Sequence, residues 1–251
     1  GFYYTADSLK ARFTVQGNRT LTEYCEEKHI PLNKCGKLVV AKDESELPLI
    51  DELLKRGSDN GVVLEEVDET TAKSIEPRAR TTGRAIYSPT TSSVDPIMVM
   101  QHIEQDAINE GVRFVYNAKY ARREAQKVYT ENGTFQAGYI VNSAGLYADR
   151  IAKDFGFSEI YDIVPFKGLY LYSEEPTGTL RTHVYPVPDL RNPFLGVHFT
   201  VTVDGRTKIG PTAIPAFWRE HYHGLDNFDP LELVDVTFRE LSLMFFSGFD
   251  F

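Results

Sequence analysis

Apolar positions recur along the chain with two periods. Between Thr5 and about Lys28, Leu9, Phe13, Leu21 and Tyr24 fall at three- and four-residue steps or their multiples, with Asp7 and Ser8 near the start. That spacing predicts a helix opening on a capping side chain, weakened inside by Gly17. CGKLVVA (35–41) predicts a strand, and DESELPLIDELLKRGSDNG a helix with Leu47, Ile50 and Leu53 on one face and Pro48 in its first turn. VVLEEVD predicts a strand, and Asp68 with Thr71 opens a short helix that must end before Pro77.

In GRAIYSPTTSSVDPIMVMQHIEQDAINEGVRFVYNAKY, Asp95 occupies the cap position and Pro96 the first helical one. Ile97, Met100, Ile103, Ala107 and Ile108 predict the buried stripe, Gly111 the end, and VRFVYNA the following strand of an α/β unit. TENGT predicts a hairpin within 120–138. YIVNSAG (139–145) then predicts a buried strand ended by Gly145, followed by a helix with Ala148, Ile151, Ala152 and Phe155 inward and Gly156 as its stop. Beyond it the chain is β-rich and aromatic, with Pro and Gly turns and a hairpin at VDGRTKIG, which predicts a mixed or antiparallel sheet in a second lobe.

Composition narrows the function classes. The 251 residues leave room for one large domain or two modest ones, and 42% hydrophobic with 25% charged residues fits an ordinary folded protein. A net charge of −9 argues against a nucleic-acid surface, so an anionic ligand needs a local cationic pocket. Cys25 and Cys35 are too few for a zinc site and form no CxxC pair, which predicts reduced thiols, no metal and a cytoplasmic setting, with peripheral contact to a membrane left open. No run approaches 18 apolar residues. The glycosylation matches at Asn18 and Asn132 lack a secretory signal beside them and are read as chance. With no initiator Met before Gly1 and an apolar run closing LSLMFFSGFDF, the expectation is a piece of a longer chain.

The candidate chemistry starts at NSAGLYAD. Small residues at a strand's end let a ligand approach the backbone, and the next helix offers N–H groups to anionic atoms. The same turn also occurs as plain structure in many α/β proteins. No two glycines are separated by a single residue, and no G-x-x-x-x-G is followed by Lys, so neither the dinucleotide-binding G-x-G-x-x-G nor the P-loop G-x-x-x-x-G-K-[ST] exists here.

GFYYTADSLKARF, KCGKLVVA, AIYSPTTSSVDP, VNSAGLYADRIA, IVPFKGLYL and VYPVPDLRNPFLGVHFTVTVDGRTKIGPTAIPAFWRE together resemble the FAD-dependent L-2-hydroxyglutarate oxidase or dehydrogenase group of the glycine oxidase/D-amino acid oxidase-like superfamily. The resemblance implies an α/β (α+β) fold: a partial Rossmann-like FAD-binding domain (1–30 and 83–156) and a mixed or antiparallel sheet holding the substrate (31–82 and 157–251). In that family the glycine-rich loop lies upstream of the stretch matched here, and the family continues past Phe251. Asn117, Ala118 and Lys119 should then face the adenine, and Ser143, Ala144 and Gly145 should line the FAD beside Tyr147, which equally fits a core tyrosine.

The implied reaction is oxidation of a 2-hydroxy acid, L-2-hydroxyglutarate first, to the 2-oxo acid, with oxygen or a quinone as electron acceptor. His198 is the candidate base, aimed by strand alternation into a cleft between lobes, with a hydrogen-bonded structural histidine as the alternative. Lys167 is the candidate cation for the carboxylates, against an exposed turn lysine, with Lys10 and Arg12 in reserve. Tyr170, Tyr185, Tyr3 and Tyr4 are candidate substrate contacts. His221 and His223 are assigned to a solvated loop. Two alternatives stay open: an FAD-dependent amino-acid oxidase of the glycine or D-amino acid type, and a catalytically silent ligand-binding fragment.

Overall fold

Ser8 sets the first helix: its Oγ accepts the Ala11 N–H at 3.1 Å, and α1 runs over Leu9–Glu27. The computed structural model describes residues 1–189 and 196–246, except for the side chains of Met244 and Phe246. Residues 190–195, inside the VYPVPDLRNPFLGVHFT motif, and 247–251 lie outside the described residues. After α1 come β1 (Leu32–Asn33), β2 (Lys37–Val40), α2 (Leu47–Asp59), β3 (Glu65–Asp68), α3 (Glu69–Ile75), β4 (Arg84–Ser88), β5 (Ser93–Val94) and α4 (Pro96–Asn109). Then follow β6 (Tyr120–Glu124), β7 (Lys127–Thr130), β8 (Gly133–Gln136), α5 (Ala148–Asp154), β9 (Phe166–Lys167) and β10 (Leu171–Tyr172). The last elements are β11 (His183–Pro186), β12 (His198–Val201), β13 (Thr207–Gly210), β14 (Ile214–Pro215) and α6 (Pro230–Phe246).

These elements gather into two units. The first, Gly1–Asp106 with Gly168–Ala213, is built on a seven-stranded sheet in the order β10, β13, β12, β11, β2, β4, β3. Only β11 and β2 run parallel, so two stretches far apart in sequence meet at the middle of the sheet. Leu38, Val67, Ala72 and Ala85 pack on one side, and Val39, Ile50, Leu53, Ile86 and Phe2 on the other. Each fully buried Leu or Ile contributes about 1.5–3 kcal/mol, so this double-sided packing holds β2 and β4 in place. The second unit, Ala107–Lys167 with the described residues from Ile214 onward, carries the β6–β7–β8 meander, the β9–β14 pair, α5 and α6.

β4 lies between β2 and β3, so 84–88 cannot be parted from 37–40 and 65–68.

Several local expectations hold. Asp68 caps α3 by accepting the Thr71 N–H, Pro96 opens α4, and β12 and β13 form the hairpin. Others are corrected. The α4 stripe is rotated: Ile97, Met100, Ile103 and Ile108 are exposed, whereas Val99 is buried against Cys25 and Ile30. A polar anchor sets that rotation, because Tyr24 Oη and Lys28 Nζ both donate to the Asp106 carboxylate, at 2.8 and 2.7 Å. The stretches 112–118 and 139–144 carry no ladder, and Val112, Tyr116, Tyr139 and Val141 are exposed. An apolar run becomes a strand only where a neighbour takes up its backbone hydrogen bonds, and among the described residues no strand does so.

Candidate active site

Strand alternation makes one face of the seven-stranded sheet polar. Lys37 pairs with His183, Val39 with Tyr185, Val184 with Phe199 and Thr200 with Lys208, and side chains two residues apart share a face. Lys37, His183, Tyr185, His198, Thr200 and Lys208 therefore all project from the same side.

Lys37 is the unusual member. The residue is 9% exposed, and its Nζ lies 4.5 Å from the Phe2 ring centroid, 4.6 Å from that of Tyr3 and 5.1 Å from that of Tyr185. Among the described residues no carboxylate offsets its charge, and burial alone pulls its pKa down to about 8. Cation–π attraction, roughly 0.5–2 kcal/mol per ring, offsets only part of the cost of desolvating an ammonium. Beside it the Tyr3 hydroxyl is buried with no hydrogen-bond partner among the described residues. Burial, with a smaller push from Tyr185, keeps that phenol protonated. A cavity of about 1100 Å³ borders Lys37 and Phe2.

His198 is buried, and its ring stacks on Tyr185 with centroids 3.8 Å apart. Its Nδ1 sits 2.8 Å from the Gly196 carbonyl oxygen, so Nδ1 carries the proton and Nε2 is left as the acceptor nitrogen. Burial lowers its pKa, Gly196 raises it, and Lys37 and Lys208 lower it further, which favours the neutral ring. Behind it His183 accepts the Val201 N–H at Nδ1, 3.0 Å away, and turns Nε2 to Cys35 Sγ and Ser93 Oγ, each at 3.4 Å. Burial, then Lys37, His198 and Lys208, bring the His183 pKa down to about 4.

At the far end of the row Lys208 Nζ lies 4.4 Å from the Tyr170 centroid. Gly210 lets that ring approach: at φ 148°, a Cβ there would stand 2.6 Å from the Leu169 carbonyl oxygen and 2.8 Å from Tyr170 Cδ1.

The sheet thus collects three of the residues singled out from sequence, Tyr3, Tyr185 and His198, around Lys37, with Tyr170 beside Lys208. Tyr4 is exposed, with Lys10 Nζ 5.7 Å from its centroid. Lys167 belongs to the second unit, where its Nζ is 3.3 Å from His221 Nε2. His221 and His223 lie in a loop, His223 exposed and His221 half-buried with its ring stacked on buried Trp218 at 3.7 Å.

Sequence reasoning passed over Lys37, Lys208 and His183. The available signals were a lysine heading the LVV strand and a lysine at alternate register in the hairpin that contains His198.

In the second unit Ala118 is half-buried, Lys119 Nζ lies 5.8 Å from the Tyr147 centroid, and Ser143, Ala144 and Gly145 are exposed. Nothing lies within 4 Å of where a Gly145 Cβ would stand. Tyr147 donates to Glu220 at 3.0 Å. Arg219 grips Asp149 through two 2.7 Å bonds, with the side chains 3% and 5% exposed, and also donates to the Leu146 carbonyl. Open backbone at 117–119 and 142–145 fits the adenosine end of a dinucleotide, but the 251 residues contain no G-x-G-x-x-G run to cradle its pyrophosphate. Among the described residues no helix is long and apolar enough to cross a membrane, and no His, Cys, Asp or Glu cluster has the makings of a metal site.

The family model described as FAD dependent oxidoreductase (DAO) matches residues 1–243. The chain is 38% identical over 272 residues to the mitochondrial L-2-hydroxyglutarate dehydrogenase of Nematostella vectensis, covering 100% of this chain and 59% of that protein. To the Homo sapiens mitochondrial L-2-hydroxyglutarate dehydrogenase it is 37% identical over 254 residues, covering 94% and 54%. Among solved structures, glycine oxidase from Geobacillus kaustophilus has a similar fold, with TM-score 0.71, 20% identity, and coverage of 94% of this chain and 63% of that one. The chain spans little more than half the length of these curated relatives.

Proposed function

The chain belongs to the FAD dependent oxidoreductase (DAO) family, and on that premise we propose that it supplies the substrate-holding face of an enzyme oxidising a 2-hydroxy acid to the 2-oxo acid. Similarity to proteins named for L-2-hydroxyglutarate makes that acid the substrate of choice. The observation that carries the reading is Lys37, a buried ammonium with three aromatic rings around it and no carboxylate beside it among the described residues. A substrate carboxylate provides the missing counter-charge, and the unpaired Tyr3 hydroxyl is a ready donor to it.

FAD, when bound, supplies the hydride acceptor for the Cα hydrogen. The chain's own work is to hold the acid and receive the hydroxyl proton. His198 is placed for the second task, with Nδ1–H committed to Gly196 and Nε2 free of its own proton. Tyr185 holds the imidazole in one orientation by stacking on it and, with Tyr170, walls the substrate. For the cofactor, the residues proposed are Ala118, Lys119, Ser143, Ala144, Gly145 and Tyr147, at the open backbone suited to its adenosine part.

The test is anaerobic mixing of the FAD-reconstituted protein with L-2-hydroxyglutarate while the flavin absorbance is followed. Bleaching by that acid supports the reading. Bleaching by glycine or a D-amino acid, with none by the hydroxy acid, transfers the chain to the amine oxidases.

A further inference from the structure

Two lysines, not one, flank the imidazole on this face. Lys37 stands on β2 and Lys208 on β13, with β11 and β12 between them carrying Tyr185, His198 and Thr200. Both lower the pKa of His198 and of His183, so both fields reach the centre of the row. Like Lys37, Lys208 has an aromatic ring as its neighbour and forms no ion pair among the described residues. The nearby acidic side chain on the hairpin, Asp204, is taken by Arg206 at 2.7 Å. Two cations with no ion pair among the described residues, and a proton acceptor on the strands between them, are complementary to a molecule carrying a carboxylate at each end and a hydroxyl on the carbon next to one of them.

We infer that Lys208 is the specificity-determining residue for a second carboxylate, selecting dicarboxylic over monocarboxylic 2-hydroxy acids. The inference rests on the reading of Lys37 and His198 above and assigns the substrate class within that site. A monocarboxylic acid satisfies Lys37 and leaves Lys208 beside Tyr170 with no anion. A dicarboxylic acid satisfies both.

The experiment compares L-2-hydroxyglutarate with L-2-hydroxypentanoate, which has the same chain length without the second carboxylate, on the FAD-reconstituted protein and its Lys208→Met and Lys208→Arg variants. The ratio of kcat/KM for the diacid to that for the monoacid should fall about 10–100-fold in Lys208→Met, the usual worth of a charge-assisted hydrogen bond from a half-buried ammonium, and recover in Lys208→Arg. An unmoved ratio in Lys208→Met overturns the proposal. Calorimetric binding of glutarate against pentanoate, which needs no turnover, separates it from the reading it rests on. Glutarate selectivity that vanishes in Lys208→Met, in a protein oxidising neither acid, upholds Lys208 and sinks the oxidoreductase reading. Wild-type protein binding the two acids equally overturns Lys208. Thermal melting of each variant identifies misfolding, and the Arg variant then decides.

Discussion

The Tyr185 and His198 rings lie nearly parallel, 19° apart, in a stack that fixes which way the imidazole nitrogens point. With Nδ1 held by Gly196, rotation of the ring would cost both the stack and the hydrogen bond. His198→Gln should lower kcat by about 10²–10⁴-fold, the usual worth of a positioned proton acceptor, with KM little changed. Steady-state kinetics on the FAD-loaded protein checks this. An unaltered kcat would remove His198 from the chemistry.

Lys37 predicts opposite effects on binding and on stability. Lys37→Met should raise KM about 100-fold through loss of the carboxylate's partner. The same change should leave the ligand-free protein as stable or more stable, by up to about 4 kcal/mol, because it deletes a buried charge that has no counter-ion among the described residues. Substrate affinity in the native protein should fade as pH rises through about 8, where Lys37 loses its proton. Between that pH and 10.5 the unfolded chain binds more protons than the folded one, so stability of the ligand-free protein should rise there, and not in the Met variant. Denaturant titrations across pH 7–10 report both trends.

His183 governs the acid side. Its folded pKa of about 4 lies below the ordinary 6.5, so on acidification the unfolded chain takes up the proton first. The stability it contributes is complete above about pH 6.5 and is lost as pH falls toward 4, amounting to about 3 kcal/mol. His183→Gln should flatten that part of the pH–stability curve, read from melting temperatures between pH 4 and 7.

The Asp149–Arg219 pair should dominate the stability of the second unit. Burial pushes the Asp149 carboxyl up, but hydrogen bonds from Arg219 and the Ile163 N–H outweigh it and hold the pKa at about 2. Arg219→Ala or Asp149→Ala leaves one charge buried alone and should cost about 3–5 kcal/mol. Hydrogen exchange should show the loss first in α5 and the 216–220 stretch, the two segments that the pair joins.

Much of the fold was legible where the signal is local. Ser8, Asp68 and Pro96 announce helix starts through cap chemistry, and the VDGRTKIG turn announces β12–β13 because hairpin register follows from a few adjacent residues. Helix facing was less so: the larger side chains of α4 point outward because Asp106 is tied to Tyr24 and Lys28, a contact no spacing within α4 encodes. Half of the site was readable for a similar reason. His198, Tyr185 and Tyr3 are residue types that invite chemistry, whereas Lys37 becomes exceptional only once distant Phe2, Tyr3 and Tyr185 close around it.

The parallel seam between β2 and β11 has a kinetic corollary. Because Lys37 meets Tyr185 only across that seam, nothing in a partly collapsed chain resembles the finished pocket, and ordering of the aromatic cluster must await closure of a very long loop. Near-ultraviolet dichroism from these tyrosines should therefore appear late during refolding, after helical signal has recovered, and serve as a clock for arrival of the native topology.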